Sequence, residues 1–269
     1  GEIVSVLIVI PARYASTRYP GKPLVALRGA NGQTRTLIRR SWEAATAVKG
    51  ADRVVVATDD DRIRKEAEGF GAEVVMTSTG CRNGTERCAE AHAALGGGYD
   101  VVVNLQGDAP LTPHWFVEDL VAGLRADPEA EIATPVLRCD GHALNGLLAD
   151  RRAGRVGGTP AVFGAGHRAL YFSKEVIPYT GTTYAEDAET PVFHHVGVYA
   201  YRPAALAAYP GWDAGPLETL EGLEQLRFLE KGRHVLCVEV EARGRQFWEL
   251  NNPEDVPRIE AMMAEMGMN

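Results

Sequence analysis

No uninterrupted apolar stretch in these 269 residues approaches the ~20 needed to span a bilayer, so no transmembrane helix is expected. The N-terminus also lacks a basic region followed by a cleavable apolar segment; no signal peptide is expected, and the setting reads as cytoplasmic. The four cysteines, Cys81, Cys88, Cys139 and Cys237, form no CxxC pair, and the spacing of Cys81 and Cys88 fits no common zinc site. They read as buried or incidental thiols in a reducing compartment. The pattern GxxxxGK[ST] is missing, Gly21-Lys22 being followed by Pro23, which excludes a P-loop ATPase. Positive charge is scarce: 28 Lys and Arg against 36 Asp and Glu give a formal net charge of −8. That balance argues against a general nucleic-acid binder. An anionic substrate would need a local basic patch.

Such a patch exists. The apolar run Ile3-Val4-Ser5-Val6-Leu7-Ile8-Val9-Ile10 reads as a buried first strand. It leads into Pro11-Ala12-Arg13-Tyr14-Ala15-Ser16-Thr17-Arg18-Tyr19-Pro20-Gly21-Lys22-Pro23-Leu24. A basic loop after the first strand of an α/β protein lies at that strand's carboxyl end, where such folds bind ligands. Arg13, Arg18 and Lys22, with Ser16 and Thr17 between them, could surround a polyphosphate: Arg makes forked contacts, and Lys supplies a point charge. An ordinary solvated basic loop is the alternative.

The remaining pattern alternates strand and helix. Helices are expected at 36–48, 63–70 and 85–95, and strands at 53–58, 73–76 and 101–105. This order predicts an α/β protein with a doubly wound, mostly parallel sheet. The second half is more β-rich, with strands at 132–137, 161–163, 169–172, 193–201 and 235–240, and helices at 217–230 and 253–266. Residues 179–191 read as an exposed polar loop, and the Gly/Arg-rich 151–158 as a mobile one. One domain, 1–269, with a β-rich flap at roughly 160–210 is expected; no repeat or low-complexity linker divides it.

Three further constellations could carry chemistry. Asp108, in Gln106-Gly107-Asp108 after the 101–105 strand, could offer oxygen to a hard cation, or simply bond its own turn. Asn83-Gly84-Thr85-Glu86-Arg87 opens a helix whose free N–H groups could meet an anion or a base edge; a plain cap serves equally well. His195 and Tyr199 share a face if 193–201 is one strand, as ligand contacts or as a structural pair.

The 10–24 segment resembles the signature loop of the CMP-Kdo synthetases (3-deoxy-manno-octulosonate cytidylyltransferases). So do Gln106-Gly107-Asp108, Asn83-Gly84-Thr85-Glu86-Arg87, His195-Val196-Gly197-Val198-Tyr199 and Leu223-Glu224-Gln225-Leu226-Arg227 resemble that family's other motifs. The resemblance runs from residue 3 to about 260 but is poor over 141–168. It implies a transferase that joins CTP to an acidic 3-deoxy sugar, Kdo or a close relative, giving a CMP-sugar and pyrophosphate for lipopolysaccharide biosynthesis. It implies Mg²⁺ on Asp108 and Asn251, and a homodimer with the flap as dimerisation insertion. Pro11, Ala12, Arg13, Ser16, Thr17, Arg18, Lys22, Asn83, Gly84, Thr85 and Arg87 would face the nucleotide. Gln106, Lys174, His195, Tyr199, Glu224 and Gln225 would face the sugar. Catalysis would fall to Arg13, Arg18, Lys22 and Asp108.

The chain departs from the family at four places. Lys174 replaces an Arg, Asn251 an Asp, Cys81 a His and Asn83 a Ser. A different octulosonate or nonulosonate acceptor, or a CTP-binding relative without turnover, are the readings these departures leave open.

Overall fold

Val6–Ala12 forms strand β1, its first five side chains buried on both faces as a central parallel strand requires. It runs two residues further than the apolar run suggests, so Pro11 and Ala12 belong to the strand end. The structure, a computed structural model, describes residues 4–269; Ile3, counted in the expected first strand, lies outside the described residues.

The chain forms two compact units, one of residues up to 118 with 201–207 and 242–269, the other of 119–200 with 208–241. In the first unit a short antiparallel hairpin, β2 (Ala26–Arg28) and β3 (Thr34–Thr36), leads into helix α1 (Leu37–Thr46), capped by the Thr36 hydroxyl. Strand β4 (Arg53–Thr58) and helix α2 (Asp61–Gly69) follow, with Asp60 accepting the Arg62 and Ile63 N–H groups at the helix start. Next come β5 (Glu73–Met76), α3 (Gly84–Ala94) and β6 (Val101–Leu105). The strands lie in the order β5-β4-β1-β6, all parallel. The chain moves outward from β1 to β4 and β5, then returns to the other side of β1 at β6. That reversal opens a crevice beyond the carboxyl ends of β1 and β6, where open α/β sheets hold ligands.

Helix α4 (His114–Ala126) is absent from the expected elements, although Phe116, Val117, Leu120 and Leu124 are buried at helical spacing. Strand β7 (Ile132–Asp140) follows and extends past the expected 132–137. Helix α5 (Gly141–Arg152), also unexpected, is capped by Asp140, whose Oδ1 accepts the Ala143 N–H at 2.8 Å. Its last turn contains Arg151 and Arg152, so the Gly/Arg-rich stretch begins inside a helix. Leu144 packs with Cys139 and Val192 in a small core of the second unit.

Strands β8 (Pro160–Phe163) and β9 (Ala169–Phe172) pair antiparallel, as expected. The expected single strand 193–201 is two, β10 (Glu189–His195) and β11 (Val198–Tyr201), separated by Val196-Gly197. After helix α6 (Pro203–Ala208), the expected helix 217–230 also divides, into α7 (Pro216–Glu221) and α8 (Leu226–Glu230). Gly222 takes φ +67 at the division, a left-handed conformation that ends α7. In the second unit the strands order β11-β7-β10-β8-β9, and β12 (Val235–Glu239) pairs parallel with β7. Helix α9 (Asp255–Met266) completes the first unit. Its Ile259 and Met263 pack with Leu27, Leu37, Leu111 and Leu250, and each such burial is worth roughly 1.5–3 kcal/mol. This core brings residue 250 back beside Asp108. The fold is α/β, doubly wound about a mostly parallel sheet, as expected. Among the described residues no helix is long and apolar enough to cross a membrane.

Candidate active site

In the first unit the functional candidates gather at the carboxyl ends of β1 and β6. The loop after β1 closes on itself through the Gly21 N–H to the Tyr14 carbonyl at 2.9 Å. Gly21 has φ +71, and a Cβ there would fall 2.9 Å from the Tyr14 ring. A glycine is therefore needed for both the backbone turn and the packing. The Tyr14 ring is covered by the Arg62 guanidinium 3.4 Å from its centre. Tyr19 N–H donates to the Ser16 hydroxyl at 3.2 Å. Arg13, Thr17 and Arg18 are exposed on the closed loop, and among the described residues neither Arg13 nor Arg18 makes an ion pair. Lys22 opens a single 3₁₀ turn, Lys22–Leu24, and is half-buried.

The Gln106-Gly107-Asp108 turn is pinned by its carbonyls. Ser41 of α1, fully buried, donates its hydroxyl to the Gly107 carbonyl at 2.7 Å, and the Leu250 N–H donates to the Asp108 carbonyl at 2.8 Å. A Cβ on Gly107 would approach the Pro11 carbonyl to 3.3 Å, so the turn lies close against the end of β1. Asp108 Oδ2 faces Lys22 Nζ at 3.5 Å. Its Oδ1 is buried with no hydrogen-bond partner. A carboxylate oxygen left so is costly unless something cationic completes it. Asn251 follows the residue that bonds Asp108, and Asp255 shapes its turn: Oδ2 accepts the Asn251 and Asn252 N–H groups at 2.9 and 2.8 Å, Oδ1 the Trp248 indole at 2.9 Å. Among the described residues no three His, Cys, Asp or Glu gather as a metal cluster. These residues suit a hard cation that takes its other ligands from phosphate oxygens and water.

Helix α3 aims its N-terminus at the same crevice. Asn83 caps it, its Oδ1 accepting the Glu86 N–H at 2.9 Å, and the Cβ that Gly84 lacks would meet Asn104 and Pro11 at 3.2 and 3.4 Å. Two of the expected nucleotide residues point inward instead. The Thr85 hydroxyl is buried and bonded to the Tyr201 hydroxyl at 2.8 Å. Arg87, 4% exposed, donates to Thr77 Oγ1 at 2.6 Å and pairs with Asp59 at 3.5 Å, so it holds the loop before the helix. All four residues 85 to 88 are buried, which the motif alone does not disclose.

The sugar-side candidates other than Gln106 lie in the second unit. His195 and Tyr199 stand on different strands, on either side of β7, yet their rings approach to 5.7 Å. Thr134 Oγ1 lies 2.6 Å from His195 Nε2 and 2.8 Å from the Val198 carbonyl. The hydroxyl has one proton; given to the carbonyl, it makes His195 Nε2 the donor and leaves Nδ1 with its lone pair. Burial, aided by neighbouring His194, pushes the His195 pKa down to about 3, so the ring is neutral. Tyr199 donates to Gln225 Oε1 at 3.1 Å. Glu224 and Gln225 occupy the break between α7 and α8. Lys174 donates its N–H to Glu221 Oε1 at 2.9 Å, and its Nζ lies 3.1 Å from where a Cβ on Gly222 would be. Lys174, Glu224, Gln225, Tyr199 and His195 thus fall in one neighbourhood. Sequence reasoning missed Ser41, Thr134 and Asp255, which hold the others; a serine on the buried face of α1 was the only visible signal.

The cytidylyltransferase family model matches residues 7–235. A 3-deoxy-manno-octulosonate cytidylyltransferase of Maricaulis maris is 44% identical over 98% of this chain and 99% of its own length. An 8-amino-3,8-dideoxy-manno-octulosonate cytidylyltransferase of Shewanella frigidimarina is 39% identical over 97% and 99%. The solved structure of CMP:2-keto-3-deoxy-manno-octonic acid synthetase complexed with CTP superposes with a TM-score of 0.81 at 33% identity, covering 97% of this chain and 99% of that one.

Proposed function

Because this chain belongs to the cytidylyltransferase family, we propose that it transfers CMP from CTP to an acidic 3-deoxy octulosonate of the Kdo type and releases pyrophosphate. The observation that carries this reading is the crevice at β1 and β6, where a closed basic loop meets Asp108 with one oxygen on Lys22 and the other unpartnered.

A sugar hydroxyl attacks the α-phosphorus. One P–O bond forms, the bond to the bridging oxygen of pyrophosphate breaks in line with it, and the hydroxyl proton passes to solvent. The protein's work is alignment and charge neutralisation. Arg13, Arg18 and Lys22, with Ser16 and Thr17, meet the triphosphate and its growing negative charge. Pro11, Ala12, Asn83, Gly84 and the Thr85 backbone border the nucleoside, and Arg87 keeps that border in place. Gln106, Lys174, His195, Tyr199, Glu224 and Gln225 hold the sugar, with His195 Nδ1 accepting from a hydroxyl and Lys174 facing the carboxylate. Asp108 and Asn251 would hold a divalent cation, Mg²⁺, which when bound neutralises phosphoryl oxygens and makes phosphorus more electrophilic.

A homodimer, a cytoplasmic setting and service to lipopolysaccharide biosynthesis belong to the same proposal. The dimer draws support from the β-rich 160–210 stretch, where Leu170 on edge strand β9 is 64% exposed. A second acceptor, the 8-amino sugar acid, is favoured by the Shewanella relative.

Pyrophosphate release from CTP and Mg²⁺ with a panel of acidic sugars tests the reading. Kdo is expected to be turned over fastest. Faster turnover of the 8-amino acid would select the second acceptor, and CTP binding without release would identify a non-catalytic relative. Lys174→Arg restores a two-pronged contact, typically worth ~1.5–3 kcal/mol, so the KM for Kdo should fall at least about tenfold. An unchanged or higher KM would place Lys174 away from the carboxylate.

A further inference from the structure

The break between α7 and α8, which presents Glu224 and Gln225, is held from both flanks. Glu218 of α7 accepts two bonds from Arg227 of α8, at 2.7 Å from Nε and 2.7 Å from a terminal nitrogen. Arg227 is 1% exposed, and its guanidinium lies 4.1 Å over the Tyr209 ring. Tyr209 in turn donates its hydroxyl to the Glu224 carbonyl at 2.8 Å, and that carbonyl also accepts the Arg227 N–H at 3.3 Å. On the other side Gln225 Oε1 accepts from Tyr199, which leaves its amide nitrogen to donate elsewhere.

A buried ion pair is weak evidence for stability, because the cost of desolvating both charges offsets their attraction. What a forked pair supplies is a fixed distance and angle between the elements it joins. Here it spans an interruption that an apolar contact would let slide. We propose that Arg227, Glu218 and Tyr209 are positioning residues for the acidic sugar: together they set the backbone at Glu224 and Gln225 without touching substrate. This rests on the reading of the preceding section, and it assigns the clamp to one substrate only.

Tyr209→Phe keeps the ring under Arg227 and removes the hydroxyl bond to Glu224. Measured with Kdo and CTP, it should raise the KM for Kdo by about threefold to tenfold. The KM for CTP and the melting temperature should stay put. Arg227→Lys keeps the charge but loses the fork, so it should fail to preserve the wild-type KM for Kdo; if it does not fold, Tyr209→Phe alone decides. Equal rises in both KM values, or a lower melting temperature with the Kdo KM unchanged, would reduce the clamp to a structural contact and overturn the inference alone. A wild type that releases pyrophosphate with no acidic sugar overturns the functional reading, and the inference with it.

Discussion

Asp108→Asn is expected to fold normally and to lose turnover by about a thousandfold, measured as pyrophosphate release under saturating CTP, sugar and Mg²⁺. The fold should survive because the turn is held by backbone atoms: Ser41 on the Gly107 carbonyl and Leu250 on the Asp108 carbonyl. Asn preserves the shape of the side chain, and the pair it breaks with Lys22 is about one-fifth exposed on each side. A partly exposed pair is worth no more than about 1 kcal/mol. Turnover is another matter. The substitution replaces a carboxylate oxygen with an amide nitrogen and removes the negative charge that suits a divalent cation, and losing ~4 kcal/mol of transition-state charge stabilisation is about a thousandfold. Cation binding should weaken in parallel, read by Mn²⁺ titration of the protein with CTP. Near-normal turnover in the variant would remove Asp108 from the mechanism.

The first half of the fold is legible because its strands read as short Val-rich runs, buried throughout in β6 and over most of β4: 53–58, 73–76 and 101–105 match strands β4, β5 and β6. The second half misleads where a short interruption carries no loud signal. Val196-Gly197 splits a strand, and one left-handed glycine, Gly222, splits a helix whose two halves share an apolar rhythm. The glycine is the one local sign of the break; the Arg227–Glu218 pair across it and Lys174, distant in sequence, are what the structure adds. Helix α4 escapes the reading although its buried face repeats at 116, 120 and 124.

The site divides the same way. Residues whose chemistry is loud, Arg13, Lys22 and Asp108, are readable as a set because the strand order predicts that the ends of β1 and β6 share a crevice. The quieter members are not. Thr85 and Arg87 both read as nucleotide contacts; the Thr85 hydroxyl is buried under Tyr201, and Arg87 braces the loop at Thr77. Which way a polar side chain turns at a helix start depends on what lies beneath it, and only packing decides that. Likewise His195 reads from the sequence as a ligand contact or half of a structural pair. Burial and the Thr134 hydroxyl make it a neutral ring.

Lys22→Ala should separate the two substrates. Lys22 follows the closed loop on a 3₁₀ turn whose geometry depends on Gly21 and Pro23, so its ammonium is delivered to a defined place beside Asp108. With CTP bound, a charge there has the triphosphate for a second partner. Removing one charge-assisted hydrogen bond costs ~1.5–3 kcal/mol, about tenfold to a hundredfold in affinity. The variant also leaves Asp108 without its counter-charge next to an incoming polyanion, which pushes the loss toward the upper end. The ratio kcat/KM for CTP should therefore fall by about a hundredfold. The KM for the sugar should not move, since the sugar-side residues Lys174, His195, Glu224 and Gln225 are organised by Glu221, Thr134 and Arg227 and not by this loop. Arg18→Ala should act in the same direction by a smaller factor, its side chain being exposed. Steady-state kinetics with each substrate varied in turn decides the matter: a Lys22→Ala enzyme that changed only the sugar's KM would put the loop on the wrong substrate.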